Sequence, residues 1–147
     1  MLTLYHAIPR NMSGTVLYPL NALKDVDSSL YEAHAAKYEG REHLMEERIP
    51  LLDCRWNDVL FLTAVSPVRF RAAYESTGYV RERPFRAYAI DVATLDQSRL
   101  AALTEMELNK PVRYEPFDPA RYRDYATIPE ATLDYWRAQR ACGEERP

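Results

Sequence analysis

The feature that most constrains the fold is the run Trp56-Asn57-Asp58-Val59-Leu60-Phe61-Leu62-Thr63-Ala64-Val65, followed by Ser66-Pro67 and an apolar-patterned segment ending at Gly78. Val59 to Leu62 shows no polar alternation, as expected of a strand covered on both faces. Ser66 is suited to cap a helix and Pro67 to occupy its first position. Val68, Ala72 and Ala73 would then face inward with Phe70, Arg71 and Glu75 would pair one turn apart, and Gly78 would end the helix. The run therefore reads as buried strand, cap and helix, with the rest of the chain packed around it.

Other segments follow the same rules. Leu2 to Ile8 alternates as a first strand and stops at Pro9. Val16 to Leu20 reads as an edge strand or extended link, and Glu46 to Leu52 as a strand interrupted by Pro50. Phe85 to Val92 and Val112 to Phe117 are two further strands. Three capping boxes mark helix starts: Ser29-Leu30-Tyr31-Glu32, Thr94-Leu95-Asp96-Gln97 and Thr127-Ile128-Pro129-Glu130. Gly40 and Gly143 supply stops. Helices and strands are mixed without regular βαβ spacing. This predicts an α+β fold, a small mixed or antiparallel sheet packed by three to four helices. With 147 residues the chain is expected to form one domain over 1–147, with 144–147 as a frayed tail.

Charge bears on function. A net charge of −3 supplies no general positive field, so general binding to nucleic acid is not expected. No stretch approaches the ~20 apolar residues of a membrane span, so no membrane partner is expected. The two cysteines, Cys54 and Cys142, read as reduced thiols. Met1 to His6 enters a strand directly, without a basic segment and a long apolar one. A cytoplasmic location is the expectation.

Candidate chemistry is sparse. His6 would point into a cleft and donate to a ribose or phosphate, or be satisfied within the ladder. His34, His43 and His6 have no metal-ligand spacing, and no metal is expected. Neither a GxSxG elbow nor a P-loop nor a GxGxxG turn is present. Cys54 reads as an inert thiol. Arg69, Arg71, Arg81, Arg83 and Arg86 could form a phosphate-binding patch or a solvated, ion-paired face. Arg113, Arg121 and Arg123 interleave with Tyr114, Tyr122 and Tyr125, a mixture that stacks on bases or simply lines a surface loop. Of the late acids, Glu130 is accounted for by its capping box. Glu105 and Glu107 read as helix-end residues, or as a catalytic carboxylate opposite His6.

Two resemblances are stated on particular stretches. Leu4-Tyr5-His6, Thr15 to Asn21, Lys37 to Glu42 and Trp56 to Leu60 resemble those of small bacterial proteins described only as group-specific or hypothetical, which implies no activity. The layout also resembles ADP-ribosyltransferase-like folds, with His6 matching the ribose-contacting histidine and Val59-Leu60-Phe61-Leu62-Thr63 the second motif strand. Phe61 is that strand's nearest aromatic, and no glycine follows the histidine. This resemblance implies NAD as a cofactor, with His6 on the ribose and Tyr38 or Tyr74 lining the nicotinamide side. The favoured reading is a binding or interaction module that offers Tyr122, Arg123 and Tyr125 to a protein partner, with homo-oligomers included. The alternatives are an NAD- or ADP-ribose-directed protein and a single-stranded nucleic-acid binder.

Overall fold

The computed structural model describes residues 1–9, 12, 14–79, 84–105 and 113–141. They form a small α+β fold whose strand pairing is divided over three two-stranded antiparallel ladders. The chain gathers into two units. The first holds Met1–Met12, Leu62–Leu95 and Asp118–Pro147, and the second holds Ser13–Phe61 and Asp96–Phe117. The expected stop at Gly143, the thiol of Cys142 and the 144–147 tail lie outside the described residues.

In the first unit, strand β1 (Thr3–Ala7) pairs with β4 (Ala87–Asp91), and His6 stands opposite Tyr88. Both strands were legible as alternating runs. The Leu4 side chain is buried, as is Val92 just beyond β4. Helix α4 (Pro67–Ser76) begins as its sequence dictates: the Ser66 hydroxyl accepts from the Arg69 N–H at 3.3 Å, and Pro67 fills the first position. Gly78, at φ +90°, takes the left-handed conformation that lets the chain leave the helix. Helix α6 (Glu130–Ala141) follows Pro129, but the expected third capping box does not close: the Thr127 hydroxyl donates to the Arg123 carbonyl at 2.8 Å and Glu130 pairs with Arg137 at 3.1 Å.

The core of this unit is aromatic. Tyr74 of α4 stacks on Trp136 of α6, with ring centroids 4.3 Å apart and planes within 10°. Phe70 meets Trp136 edge-on at 5.7 Å, and Phe85 packs against both Phe70 and Tyr74. Such offset and edge-on pairs add about 0.5–1.5 kcal/mol each beyond the area they bury.

The second unit begins with α1 (Leu20–Val26) and α2 (Ser28–Ala35). The expected cap shifts by two residues. Asp27, extended at φ −151°, accepts the Leu30 N–H at 3.1 Å, so Ser28 and Ser29 lie inside the helix. A carboxylate placed at the bend captures the amide before the Ser29 hydroxyl reaches one. After α3 (His43–Glu46), strands β2 (Arg48–Ile49) and β3 (Cys54–Arg55) make a short hairpin. Asp53 turns it in the left-handed region, at φ 50°, and its carboxylate accepts from Arg48 at 2.7 Å.

Further expectations are corrected. On α4 Val68 is 80% exposed and Ala72 is exposed, so of the residues expected to face inward only Phe70 and Ala73 are half-buried. The central run does not form a strand covered on both faces. Trp56–Asp58 makes a 3₁₀ turn, because the Asp58 carboxylate folds back to accept the Arg55 N–H at 2.9 Å. Beyond it Leu60 is 37% and Phe61 45% exposed. Only Thr63 joins a strand, exchanging both main-chain hydrogen bonds with Tyr5. The helix expected after Thr94 is likewise absent. The Thr94 hydroxyl donates to the Asp91 carbonyl at 2.6 Å, and no N–H of a described residue donates to it as a cap requires. Asp96 instead holds Ser98 through its N–H (3.1 Å) and hydroxyl (2.6 Å), closing the 3₁₀ turn Gln97–Arg99. The chain then enters β5 (Ala101–Glu105), antiparallel to β6 (Arg113–Pro116).

Candidate functional site

The residues singled out from sequence are dispersed. His6 is half-buried on β1, and its Nδ1–H donates to the Ala7 carbonyl at 2.7 Å. Tyr74 is 6% exposed and enclosed by aromatic rings, so it serves the core of its unit. Arg69 and Arg71 are exposed on α4, and Arg71 pairs with Glu75 at 2.9 Å as its spacing predicted. Tyr38 belongs to the second unit, half-buried at the end of a 3₁₀ turn, with the Arg41 guanidinium 6.0 Å from its ring centre. Glu105 is the last residue of β5, opposite Arg113 in the ladder. Glu107, Arg81 and Arg83 lie outside the described residues.

The tyrosine- and arginine-rich segment has a local purpose. The Tyr122 hydroxyl donates to the Thr3 carbonyl at 2.6 Å, and the Tyr125 hydroxyl accepts the Asp118 N–H at 3.2 Å. Arg121 reaches Asp124 and stands 5.7 Å from the Tyr125 ring centre. These contacts fasten a 3₁₀ turn (Pro119–Arg121) and helix α5 (Tyr122–Tyr125) to the first unit. Arg123 remains exposed.

A polar cluster around the β2–β3 hairpin was not anticipated. Asp58 accepts from the Asn21 amide at 2.7 Å as well as from the Arg55 N–H, and these bonds hold its carboxyl below the usual range. Burial and then the Asp58 charge push the Cys54 thiol up, with Arg48 opposing. Burial, then Glu47 and Cys54, push the Tyr114 phenol up. Both groups stay protonated at neutral pH, so neither is primed as a nucleophile. The Asn57 amide nitrogen and Tyr114 hydroxyl are buried without a hydrogen-bond partner among the described residues. No group of three or more His, Cys, Asp or Glu residues able to hold a metal occurs among them either.

The β1–β4 ladder presents a different kind of site. Hydrogen bonds from the Val92 N–H to the Leu2 carbonyl and from the Ile8 N–H to the Arg86 carbonyl, both 3.0 Å, bracket it. They fix Leu4–Ile90 and His6–Tyr88 as the pairs that exchange bonds. The main-chain groups of Thr3, Tyr5 and Ala7 on one strand, and of Ala87, Ala89 and Asp91 on the other, therefore point out of the ladder. The β1 side is used: Tyr5 donates to Thr63 at 2.7 Å and accepts from it at 2.9 Å, while the Thr3 carbonyl takes the Tyr122 hydroxyl. On the β4 side the Asp91 carbonyl takes the Thr94 hydroxyl. No hydrogen bond from another described residue reaches the outward N–H and C=O of Ala87 or Ala89. Ala89 and Tyr88 are exposed.

No family model matches the chain, and neither a curated protein nor a solved structure matches it. Among the described residues no helix is long and apolar enough to cross a membrane.

Proposed function

We propose that the chain is a protein-interaction module whose docking element is the outer edge of β4. The observation that carries this reading is the row of outward main-chain donors and acceptors at Ala87 and Ala89, beside exposed side chains. An open strand edge is a template for another extended chain: main-chain hydrogen bonds give affinity, and alternate side chains give selectivity. On the other edge of the same ladder Thr63 already occupies Tyr5 at the middle and Tyr122 the Thr3 carbonyl, so the longer open row is on β4. With Cys54 a free thiol, a reducing cytoplasmic setting suits the module.

Residue-resolved hydrogen exchange of the full chain, diluted until sedimentation shows a monomer, tests the reading. The amides of Ala87 and Ala89 are expected to exchange at nearly unprotected rates, while those of Leu4, His6, Tyr88 and Ile90 are retained by the ladder. Slow exchange at Ala89 in the monomer refutes it, because the chain itself would then cover the edge.

A further inference from the structure

We infer that the partner on this edge is a second copy of the same chain, joined by antiparallel pairing of β4 with β4 about a two-fold axis at Ala89. The inference rests on the reading of the β4 edge as a docking element and names its occupant.

Sequence symmetry supplies the first support. Antiparallel pairing centred on Ala89 sets Ala89 against Ala89, Ala87 against Asp91 and Tyr88 against Ile90 of the second copy. Ala89 points its N–H and C=O outward, so the two central residues exchange both bonds, and in each flanking pair the Asp91 N–H donates to the Ala87 carbonyl, the Asp91 carbonyl being held by Thr94. Tyr88 and Ile90 then meet in the closer, non-hydrogen-bonded positions. Pairs of an aromatic with a β-branched residue are among the favourable cross-strand combinations, and the two-fold makes two of them. No like charges face each other, because each Asp91 lies opposite an alanine. Two ladders thereby merge into one four-stranded sheet ordered β1-β4-β4-β1, with small side chains at its centre.

The second support is what β4 lacks. Strand edges that remain single in solution carry lysine, proline or a bulge that discourages pairing. The β5–β6 ladder of this chain has such features: a register shift between Leu103 and Glu105, and Pro116 and Arg113 at the ends of β6. Ala87–Asp91 has none of them. Its register with β1 runs without a shift from Ala87 to Asp91, and it contains no lysine, arginine or proline.

Sedimentation equilibrium and hydrogen exchange on the full chain, over micromolar to millimolar concentrations, test the inference together with Ala89→Pro and Ala89→Lys. Proline at 89 removes only an outward N–H, a position an edge strand tolerates, and lysine supplies the missing gatekeeper. The expected result is a reversible dimer with Ala89 protected in step with dimer formation. Proline should weaken it about tenfold or more through the loss of two central hydrogen bonds, and lysine should weaken it by setting two like charges opposite each other across the two-fold. Circular dichroism is expected to show the same fold in both, and if proline disturbs β4 the lysine variant alone decides. A monomer at every concentration with Ala89 unprotected overturns self-pairing and leaves the docking edge for another strand. A monomer with Ala89 protected overturns both readings. A dimer that ignores both variants and leaves Ala89 unprotected places the interface elsewhere and overturns self-pairing.

Discussion

Substituting Asn21 tests how the second unit is fastened. The Asn21 amide donates to one oxygen of Asp58 at 2.7 Å, and the Arg55 N–H donates to the other at 2.9 Å. One carboxylate thus ties α1 to the turn that carries the buried Trp56 and Asn57. A hydrogen bond to a charged group is worth roughly 1.5–3 kcal/mol where water is excluded. Asp58 is exposed and Asn21 half-buried, so water competes. About 0.5–1.5 kcal/mol is expected from Asn21→Ala at pH 7. The sign of the pH dependence follows from the lowered carboxyl, whose first cause is Asn21. Stabilisation by a depressed carboxyl is complete above its unfolded pKa of about 3.9 and is lost as pH falls through the folded value. The cost of Asn21→Ala should therefore be full at pH 7, begin to shrink as pH falls below about 3.9, and reach the remainder of a neutral, weaker bond once pH is below the lowered folded value. Urea unfolding followed on the Trp56 indole signal by NMR reads this unit without interference from Trp136. Combining the substitution with Asp58→Ala should give a coupling energy of the same size at pH 7. An equal cost at pH 7 and below the lowered folded value, or a coupling near zero, refutes the role given to this bond.

Two further outcomes follow from single contacts. Trp136→Ala removes the partner of the buried Tyr74 and is expected to destabilise the first unit by about 2–4 kcal/mol, below the cost of a fully buried tryptophan because Trp136 is half-buried; a loss under about 1 kcal/mol in denaturant, read at the Leu4 amide, would contradict the aromatic core. Cys54 should react with a disulfide reagent at pH 8 several-fold more slowly than a free cysteine, and Asp58→Asn should speed it by removing one of the charges that raise the thiol; a native rate matching free cysteine would contradict that environment.

The three capping boxes show how far local pattern reaches. Each offers a hydroxyl and an acid or amide at helix spacing, and the structure turns on which nearby acceptor takes the amide first. At Thr127–Glu130 a helix follows, but the box does not close: the Thr127 hydroxyl donates back to the Arg123 carbonyl at 2.8 Å and the Glu130 carboxylate accepts from Arg137 at 3.1 Å. At Ser29 the helix forms, but Asp27 takes over its cap. At Thr94 the hydroxyl is drawn to the Asp91 carbonyl, Asp96 closes a turn, and the apolar residues expected on a helix face enter a strand instead. The run at Trp56 fails for a related reason. Its apolar content is real, but the Asp58 carboxylate bends the chain where a strand would need it straight, and Trp56 is buried from a turn, with its ring centre 4.6 Å from Phe61. Hydrophobic runs state that something is buried, and polar neighbours decide in which conformation.

The same limit explains which functional residues were legible. His6, Tyr74, Tyr122 and Tyr125 were conspicuous by residue type, yet each answers a demand of its own unit: a neighbouring carbonyl, a ring stack, a strand end, a turn. Conspicuous side chains are those a fold most readily uses for itself when its aliphatic core is small, and here the fully buried aliphatic side chains are few among the described residues. The β4 edge was the reverse. Ala87-Tyr88-Ala89-Ile90-Asp91 was readable as a strand and carries no conspicuous chemistry. Its importance comes from pairing order: Thr63 engages the middle of the β1 edge and Tyr122 its Thr3 carbonyl, while among the described residues nothing bonds the outward groups of Ala87 and Ala89 on β4. Pairing order is set by contacts distant in sequence, which periodicity does not record. Composition nevertheless carries a trace of it. The chain places a shift, an arginine and a proline along β5–β6, and leaves β4 without lysine, arginine, proline or bulge. A strand edge left unguarded, in a chain that guards another, is what a surface meant for pairing requires.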